Sequence, residues 1–161
     1  MSLLSVIIPV HNTVAYLENT LDSVLKQSLS DIEIILVENI STDGSDVLCD
    51  KLAGLDSRIK VIHNDIAGLS RARNAGIKAS TSDYVAFIDS DDTIEHDMYE
   101  KMYEQICHYD ADIAVCNYDM VFDDGTSKKL YKETGCSEFL NTKEFTYNLL
   151  KETICSSACV G

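Results

Sequence analysis

Through the first two thirds of the chain, short apolar runs alternate with amphipathic segments. Leu4 to Val10 is an apolar run rich in β-branched residues, the pattern of a strand buried on both faces. Ile32 to Glu38 is a second such run. Between them Val14, Leu17, Leu21, Val24 and Leu25 recur at spacings of three and four, which places them on one helix face. Asn12 or Thr13 is positioned to cap that helix. Ser41-Thr42-Asp43-Gly44 reads as a turn and cap, and Val47, Leu48 and Leu52 put a short apolar stripe on the helix that follows. Arg58 to His63 predicts a third strand, with Ile59, Val61 and Ile62 as its apolar members. Ala67 to Ala79 predicts a helix rich in Ala and Arg, and Tyr84 to Ile88 a fourth strand. Met98 to Tyr109 predicts another helix, with Tyr99, Tyr103 and Ile106 as a packing stripe, and Ile113 to Phe122 another strand.

This order is βαβαβαβ at short spacing, which implies an α/β fold with a mostly parallel sheet and helices on both faces. Ligands on such sheets sit at the carboxyl ends of the strands, so the residues after each strand are where chemistry is expected. Beyond Gly125 the pattern weakens. Lys128 to Lys132 predicts an edge strand, and Thr142 to Thr153 a helix facing inward through Phe145, Leu149 and Leu150. The last residues, Cys155 to Gly161, form a small-residue apolar stretch, which leads us to expect a fragment of a longer domain.

Charge narrows the partners. Asp and Glu total 27 against 13 Lys and Arg, a formal net charge of −14. Nucleic-acid binding needs clustered cations to displace counterions, and an anionic membrane surface needs them too, so neither is the expected partner. The longest apolar runs are far too short to span a bilayer, and no basic segment precedes a long apolar one, so a cytoplasmic location is expected. The six cysteines show no CxxC and no zinc spacing; reduced, mostly buried thiols are expected.

The strongest chemical feature is Phe87-Ile88-Asp89-Ser90-Asp91-Asp92, three carboxylates within four residues directly after an apolar strand. Like charges that close are unfavourable unless a cation or hydrogen-bond donors compensate. A hard divalent ion held by one or two carboxylates and by substrate phosphates is the usual solution. A solvated acidic turn capping the next helix is the plainer alternative. Pro9-Val10-His11-Asn12 and Glu38-Asn39-Ile40-Ser41 follow the first two strands and would share a sheet edge with this cluster. Arg71 and Arg73 sit in the first turns of a helix, where they oppose its dipole. A phosphate or nucleotide would explain them, and so would pairing with surface acids.

Ser5 to Asn12, Val37 to Ser45, Ala72-Arg73-Asn74-Ala75-Gly76 and Phe87 to Asp92, in that order and spacing, resemble a family 2 glycosyltransferase with the GT-A fold, a Rossmann-like nucleotide-diphospho-sugar transferase architecture. The resemblance covers roughly residues 4 to 125. It implies an inverting transfer of a sugar from a nucleotide-diphosphate donor, usually a UDP-sugar, to a glycan or lipid-linked acceptor in polysaccharide biosynthesis. It assigns residues 1–125 to a nucleotide-sugar-binding core and residues 126–161 to the truncated start of the acceptor side. It places Pro9, Val10 and His11 around the base, Glu18 near the nucleotide, and Glu38 and Asn39 at the base edge. Gly68, Arg73 and Ser90 join the same donor site. Asp89 faces the ribose and Asp91 holds Mg²⁺ or Mn²⁺ against the diphosphate, with Asp89 and then Asp92 as the other candidate metal ligands. Asn39 and Ile40 depart from the family, which usually has an acid and a Gly there. An amide pairs with a base edge through a different pattern of donors and acceptors. The general base is expected beyond Gly161, and membrane attachment at the inner face, if present, through parts of the protein outside this chain.

Two other readings fit parts of the same pattern. Asp89-Ser90-Asp91-Asp92-Thr93 also fits the DxDxT of haloacid-dehalogenase-like phosphatases, with Asp89 as nucleophile and Asp91 as acid/base. That motif normally opens its fold on the first strand, and here it follows the fourth. A non-catalytic nucleotide-binding module is the other; it would bind a nucleotide equally with or without Mn²⁺. His63, His96 and His108 are expected at the surface or in pairing roles.

Overall fold

The computed structural model describes residues 2–122, 124–129, 138–145 and 157–160. Its contacts divide into two compact units, Met1–Asp97 and Met98–Gly161.

The first unit is built on four strands, β1 (Leu4–Val10), β2 (Ile32–Glu38), β3 (Ile59–His63) and β4 (Tyr84–Phe87), in the order β3-β2-β1-β4 and all parallel. Every residue of β1 and β2 is buried, as their mostly apolar runs predict. The chain steps from β1 outward to β3 and then crosses back to place β4 on the other side of β1. The sheet therefore changes winding direction between β1 and β4, and a crevice opens at the carboxyl ends of such a pair.

Pro9 sits in β1 although β1 is an inner strand. Ile88 donates its N–H to the Ile7 carbonyl on the β4 side, and Asn39 donates to the Val10 carbonyl on the β2 side. Alternation then turns position 9 toward β4, whose ladder ends at the Ile7–Phe87 pair. The proline's missing N–H costs no ladder bond there.

Three helices connect the strands: α1 (Leu17–Leu25), α2 (Ser45–Ala53) and α3 (Leu69–Ala79). Neither Asn12 nor Thr13 caps α1 with its side chain; the N-cap is Tyr16, and Asn12 turns into a left-handed conformation at φ 54° to reach the β2–α2 loop. Val14, expected on the apolar face of α1, is exposed, and the buried members are Leu17, Thr20, Leu21 and Val24. The stripe expected on α2 is also corrected. Val47 is exposed, while Ser45, Cys49 and Leu52 are buried. Asp43 fixes this rotation by accepting both the N–H and the hydroxyl of Ser45, at 3.0 and 2.6 Å. α3 packs on β1 and β2. Ala72 joins Ile7, Ile35 and Val37 in a core cluster. Gly76 lets the helix lie close, since a Cβ there would stand 2.4 Å from Ile7 Cγ2.

At the amino ends of the strands the buried Glu33 carboxylate gathers donors from Ser5, Lys60 and Thr81. It accepts from the Ser5 hydroxyl at 2.6 Å, the Lys60 ammonium at 2.6 Å, and the Thr81 N–H and hydroxyl at 2.7 and 2.8 Å.

The second unit contains α4 (Met98–Tyr109), β5 (Ile113–Cys116), β6 (Asp119–Val121), β7 (Ser127–Lys129), β8 (Glu138–Leu140) and β9 (Ser157–Val160). The single strand expected from Ile113 to Phe122 is two, divided at Asn117 and Tyr118. β6 and β7 form an antiparallel hairpin, and β5, β9 and β8 a separate three-stranded sheet. Residues 142–145 are helical, and the remainder of the helix expected to Thr153 lies outside the described residues. Among the described residues Cys49 is buried as expected, and Cys107 and Cys116 depart from the expected burial by being exposed.

Candidate functional site

The carboxyl ends of β1, β2 and β4 enclose a cavity of about 420 Å³. Its walls are Pro9, Val10, His11 and Thr13 after β1, Asn39 after β2, Ala67-Gly68-Leu69 at the start of α3, and Asp89-Ser90-Asp91 after β4. Eight of the residues singled out from sequence thus meet in one place: Pro9, Val10, His11, Asn39, Gly68, Asp89, Ser90 and Asp91. Thr13, Ala67 and Leu69 line it as well, though the sequence marked them only as a helix cap and helix residues and not as site residues.

Each wall is braced from a different element. Asn39 is almost fully buried and spends most of its polar atoms on the protein. Its main-chain N–H donates to Val10, its main-chain carbonyl accepts from His11 Nδ1 at 2.8 Å, and its Oδ1 accepts the Gly68 N–H at 3.2 Å. Because a carbonyl can only accept, His11 carries its proton on Nδ1. The next residue, Ile40, is held at φ 59°, a left-handed conformation that a β-branched side chain adopts only under constraint. Two contacts supply that constraint. Ser41 donates its N–H to Glu38 at 2.5 Å, and the loop is laced to the β1 end through Asn12 and Thr42.

The acidic turn after β4 is anchored through Ser90, which is buried. Thr13 donates its hydroxyl to Ser90 Oγ and Thr20, on α1, donates to the Ser90 carbonyl, each at 2.9 Å. Asp92 N–H closes the turn on the Asp89 carbonyl. Arg73 bonds Asp89 at 3.1 Å and lies 5.9 Å from the Phe87 ring centre, and its Nε is buried without a hydrogen-bond partner. Burial raises the Asp92 carboxyl above its ordinary range, and the charges of Asp91 and Asp89 push it the same way. The turn thus concentrates more negative charge than its protein neighbours neutralise.

Four further candidates stand apart from the cavity walls, Asp92 at the end of the acidic turn among them. Arg73 acts behind the wall through Asp89. Glu18 is exposed on α1, facing Lys51 at 3.4 Å. Glu38 is buried beneath the loop. Burial raises its carboxyl, but donors from Ser41 and His63 outweigh that, and it is held below the usual range. Among the described residues no group of three His, Cys, Asp or Glu converges as a ready-made metal cage. Asp89 and Asp91 on one rim fit the other kind of site, in which one or two carboxylates hold a hard ion and the substrate's phosphates complete its shell. No helix among the described residues is long and apolar enough to cross a membrane.

Comparison with known proteins agrees with this arrangement. The chain is 46% identical over 115 residues to the glycosyltransferase GlyA of Streptococcus pneumoniae, covering 71% of this chain and 16% of that protein. It is 36% identical over 146 residues to GlyG of the same organism, covering 88% of this chain and 48% of GlyG. This chain therefore spans less than half the length of either relative. Among solved structures, S. aureus TarS in complex with UDP superposes with a TM-score of 0.68 at 25% identity, over 83% of this chain and 40% of that one. The mannosyltransferase PcManGT of Pyrobaculum calidifontis, solved with GDP-Man and Mn²⁺, shares the fold with a TM-score of 0.66 over 73% of this chain and 35% of that one. Both neighbours are GT-A glycosyltransferases, so the mostly parallel sheet and its helices are of that fold. The sequence profile of glycosyl transferase family 2 matches residues 5–161, and the chain belongs to that family.

Proposed function

We propose that this chain is the donor-binding part of an inverting glycosyltransferase that moves a sugar from a UDP-sugar to a glycan or lipid-linked acceptor. The observation that carries the reading is the cavity at the winding reversal, with an acidic turn that Arg73 compensates only in part on one rim and Asn39 and His11 on the other. Pro9, Val10, His11 and Asn39 form the nucleoside end, and Gly68 supports Asn39. Asp89 and Asp91 would hold Mg²⁺ or Mn²⁺ at the diphosphate end, with Asp92 in reserve. When bound, the ion offsets the charge on the departing diphosphate. The protein's part is to present two carboxylates at a fixed spacing, through Ser90 and its two threonine anchors, and to keep Asp89 oriented by Arg73. Glu18 and Glu38 act more remotely, Glu38 by shaping the loop behind Asn39.

Residues 1–125 are assigned to donor binding and 126–161 to the beginning of the acceptor side. We assign no general base, since the carboxylates lining the cavity belong to the acidic turn. A cytoplasmic site of action follows from a nucleotide-activated donor. UDP-bound TarS, at 25% identity, supports uridine as the base. The test is calorimetric titration of UDP into this chain with and without Mn²⁺, repeated on Asp91→Ala. Metal-dependent binding that the substitution removes is the expected result. Binding indifferent to the metal would favour a nucleotide-binding module without catalysis.

A further inference from the structure

β2 and α2 pack against β3, and each brings a carboxylate to His63 at its end. Glu38 of β2 lies 3.4 Å from Nδ1, and Asp50 of α2 lies 3.0 Å from Nε2. A carboxylate only accepts hydrogen bonds, and a neutral imidazole has a single N–H to give. With an acceptor at each nitrogen, the ring fits these surroundings as imidazolium. The two acceptors are not equivalent. The Asp50 side chain is largely exposed and solvated, whereas that of Glu38 is buried and relies on the protein to offset its charge. α2 also brings Asp46 and Cys49 to this corner; the Cys49 thiol is pushed up to about 12, chiefly by burial, and stays neutral.

The other oxygen of Glu38 reaches the cavity wall. It accepts the Ser41 N–H at 2.5 Å and so closes the loop over Ile40, which stands at φ 59°. A β-branched residue keeps that conformation only while its surroundings enforce it. The same loop carries Asn39 into the wall, where it holds the Gly68 N–H, and Ser41 Oγ accepts the Asn12 N–H at 3.2 Å. Contacts therefore run without a break from His63 through Glu38 and Ser41 to the cavity.

We propose that His63, which lies outside the cavity, is a positioning residue for the nucleotide-diphosphate donor: its positive charge on Glu38 holds the Asn39–Ser41 loop in the shape that binds. The inference rests on the nucleotide-sugar reading above and adds a proton to it. Deprotonation turns one ring nitrogen into an acceptor and sets its lone pair against a carboxylate. Glu38 then carries its charge under cover without a cation, and its hold on the Ser41 N–H and on the strained Ile40 loosens. The ring itself is half exposed, so it exchanges its proton with water while the carboxylate beneath stays buried. The sign follows. The charge is present below the His63 midpoint, so affinity for the nucleotide is full there and falls as pH rises through it.

In the experiment, NMR titration of the ring protons locates the His63 midpoint. Calorimetry then measures UDP binding with Mn²⁺ about one pH unit below and above it, on the natural chain, His63→Arg and His63→Gln, with thermal melting of each. Ionisation of UDP itself is common to the three chains and cancels in the comparison. Arg keeps a charge and donors for two carboxylates at both pH values; Gln keeps a donor without the charge. The natural chain should bind like His63→Arg below the midpoint and about fivefold more weakly than His63→Arg above it, and His63→Gln should bind weakly at both. Parallel profiles for the natural chain and His63→Arg would overturn the proposal, as would undiminished binding by His63→Gln below the midpoint. Should the variants fail to fold, the natural chain decides the matter through the amide resonances of Ile40 and Ser41. These should shift with the His63 midpoint, and resonances unmoved through it would overturn the inference. Failure of the natural chain to bind UDP at either pH would overturn the nucleotide-sugar reading itself, and this proposal with it. Normal UDP binding indifferent to the charge at position 63 would overturn this proposal alone.

Discussion

The hydroxyl of Thr20 donates to the main-chain carbonyl of Ser90 at 2.9 Å, tying the middle of α1 to the acidic turn seventy positions later in the chain. Both residues are buried, so neither group has water to fall back on. Thr20→Val keeps the shape and removes the donor, leaving the Ser90 carbonyl without this partner. We expect a loss of about 1–3 kcal/mol in urea unfolding. Because Ser90 stands between Asp89 and Asp91, metal-dependent nucleotide binding should also weaken. Full retention of both properties would show that the turn holds its form without α1.

Gly76→Ala is a sharper structural test. In an open helix the change should stabilise by up to about 1 kcal/mol. Here the new methyl would meet Ile7 Cγ2 at 2.4 Å, in the centre of the sheet. Overpacking of this kind costs about 1–3 kcal/mol, so the net effect should be destabilising. Equilibrium urea denaturation measures it, and a gain in stability would mean that α3 can lift off β1.

What could be read from sequence follows from how local each signal is. β1 and β2 were legible because a strand buried on both faces must be apolar throughout, and Leu4–Val10 and Ile32–Glu38 have few polar interruptions. The acidic turn was legible because three carboxylates after an apolar strand need compensation from somewhere. α2 was misjudged because the choice between Val47 and Cys49 as an inward position depends on the start of the helix, and Asp43 sets that by bonding Ser45. Thr13 and Thr20 look like ordinary helix-approach and helix residues until the fold brings Ser90 against them. β8 and β9 span three and four residues and pair with segments distant in sequence or with each other, so no local period announces them.

His63 links the end of β3 to two carboxylates, Asp50 at 3.0 Å and Glu38 at 3.4 Å. The Asp50 contact is the main reason its imidazole is raised above the ordinary 6.5; burial opposes this, and Glu38 adds to it. A raised histidine contributes stability that is fully present below pH 6.5 and is lost as pH rises through the folded-state value. NMR titration of the ring protons should therefore place His63 above a free histidine, and Asp50→Asn should bring it back down. An unchanged midpoint in Asp50→Asn would assign the shift to Glu38 instead.

Glu33 ties the stability of the fold to acid pH. Burial pushes its carboxyl up, but the bonds from Lys60, Ser5 and Thr81 together prevail and hold it at about 2, against an ordinary 4.5. A carboxylate depressed in this way contributes stability that is fully present above pH 4.5 and is lost as pH falls toward 2. The difference corresponds to roughly 3 kcal/mol at neutral pH. Glu33→Gln preserves the size of the side chain but removes the charge that Lys60 faces and one of the two acceptor oxygens. At pH 7 the variant should be less stable by an amount of that order in urea unfolding. As the pH is lowered from 4.5 toward 2 the natural protein should lose stability faster than the variant, and the two curves should converge. Parallel curves across this range would show that Glu33 titrates alike in the folded and unfolded chains, and that another carboxylate sets the acid limit.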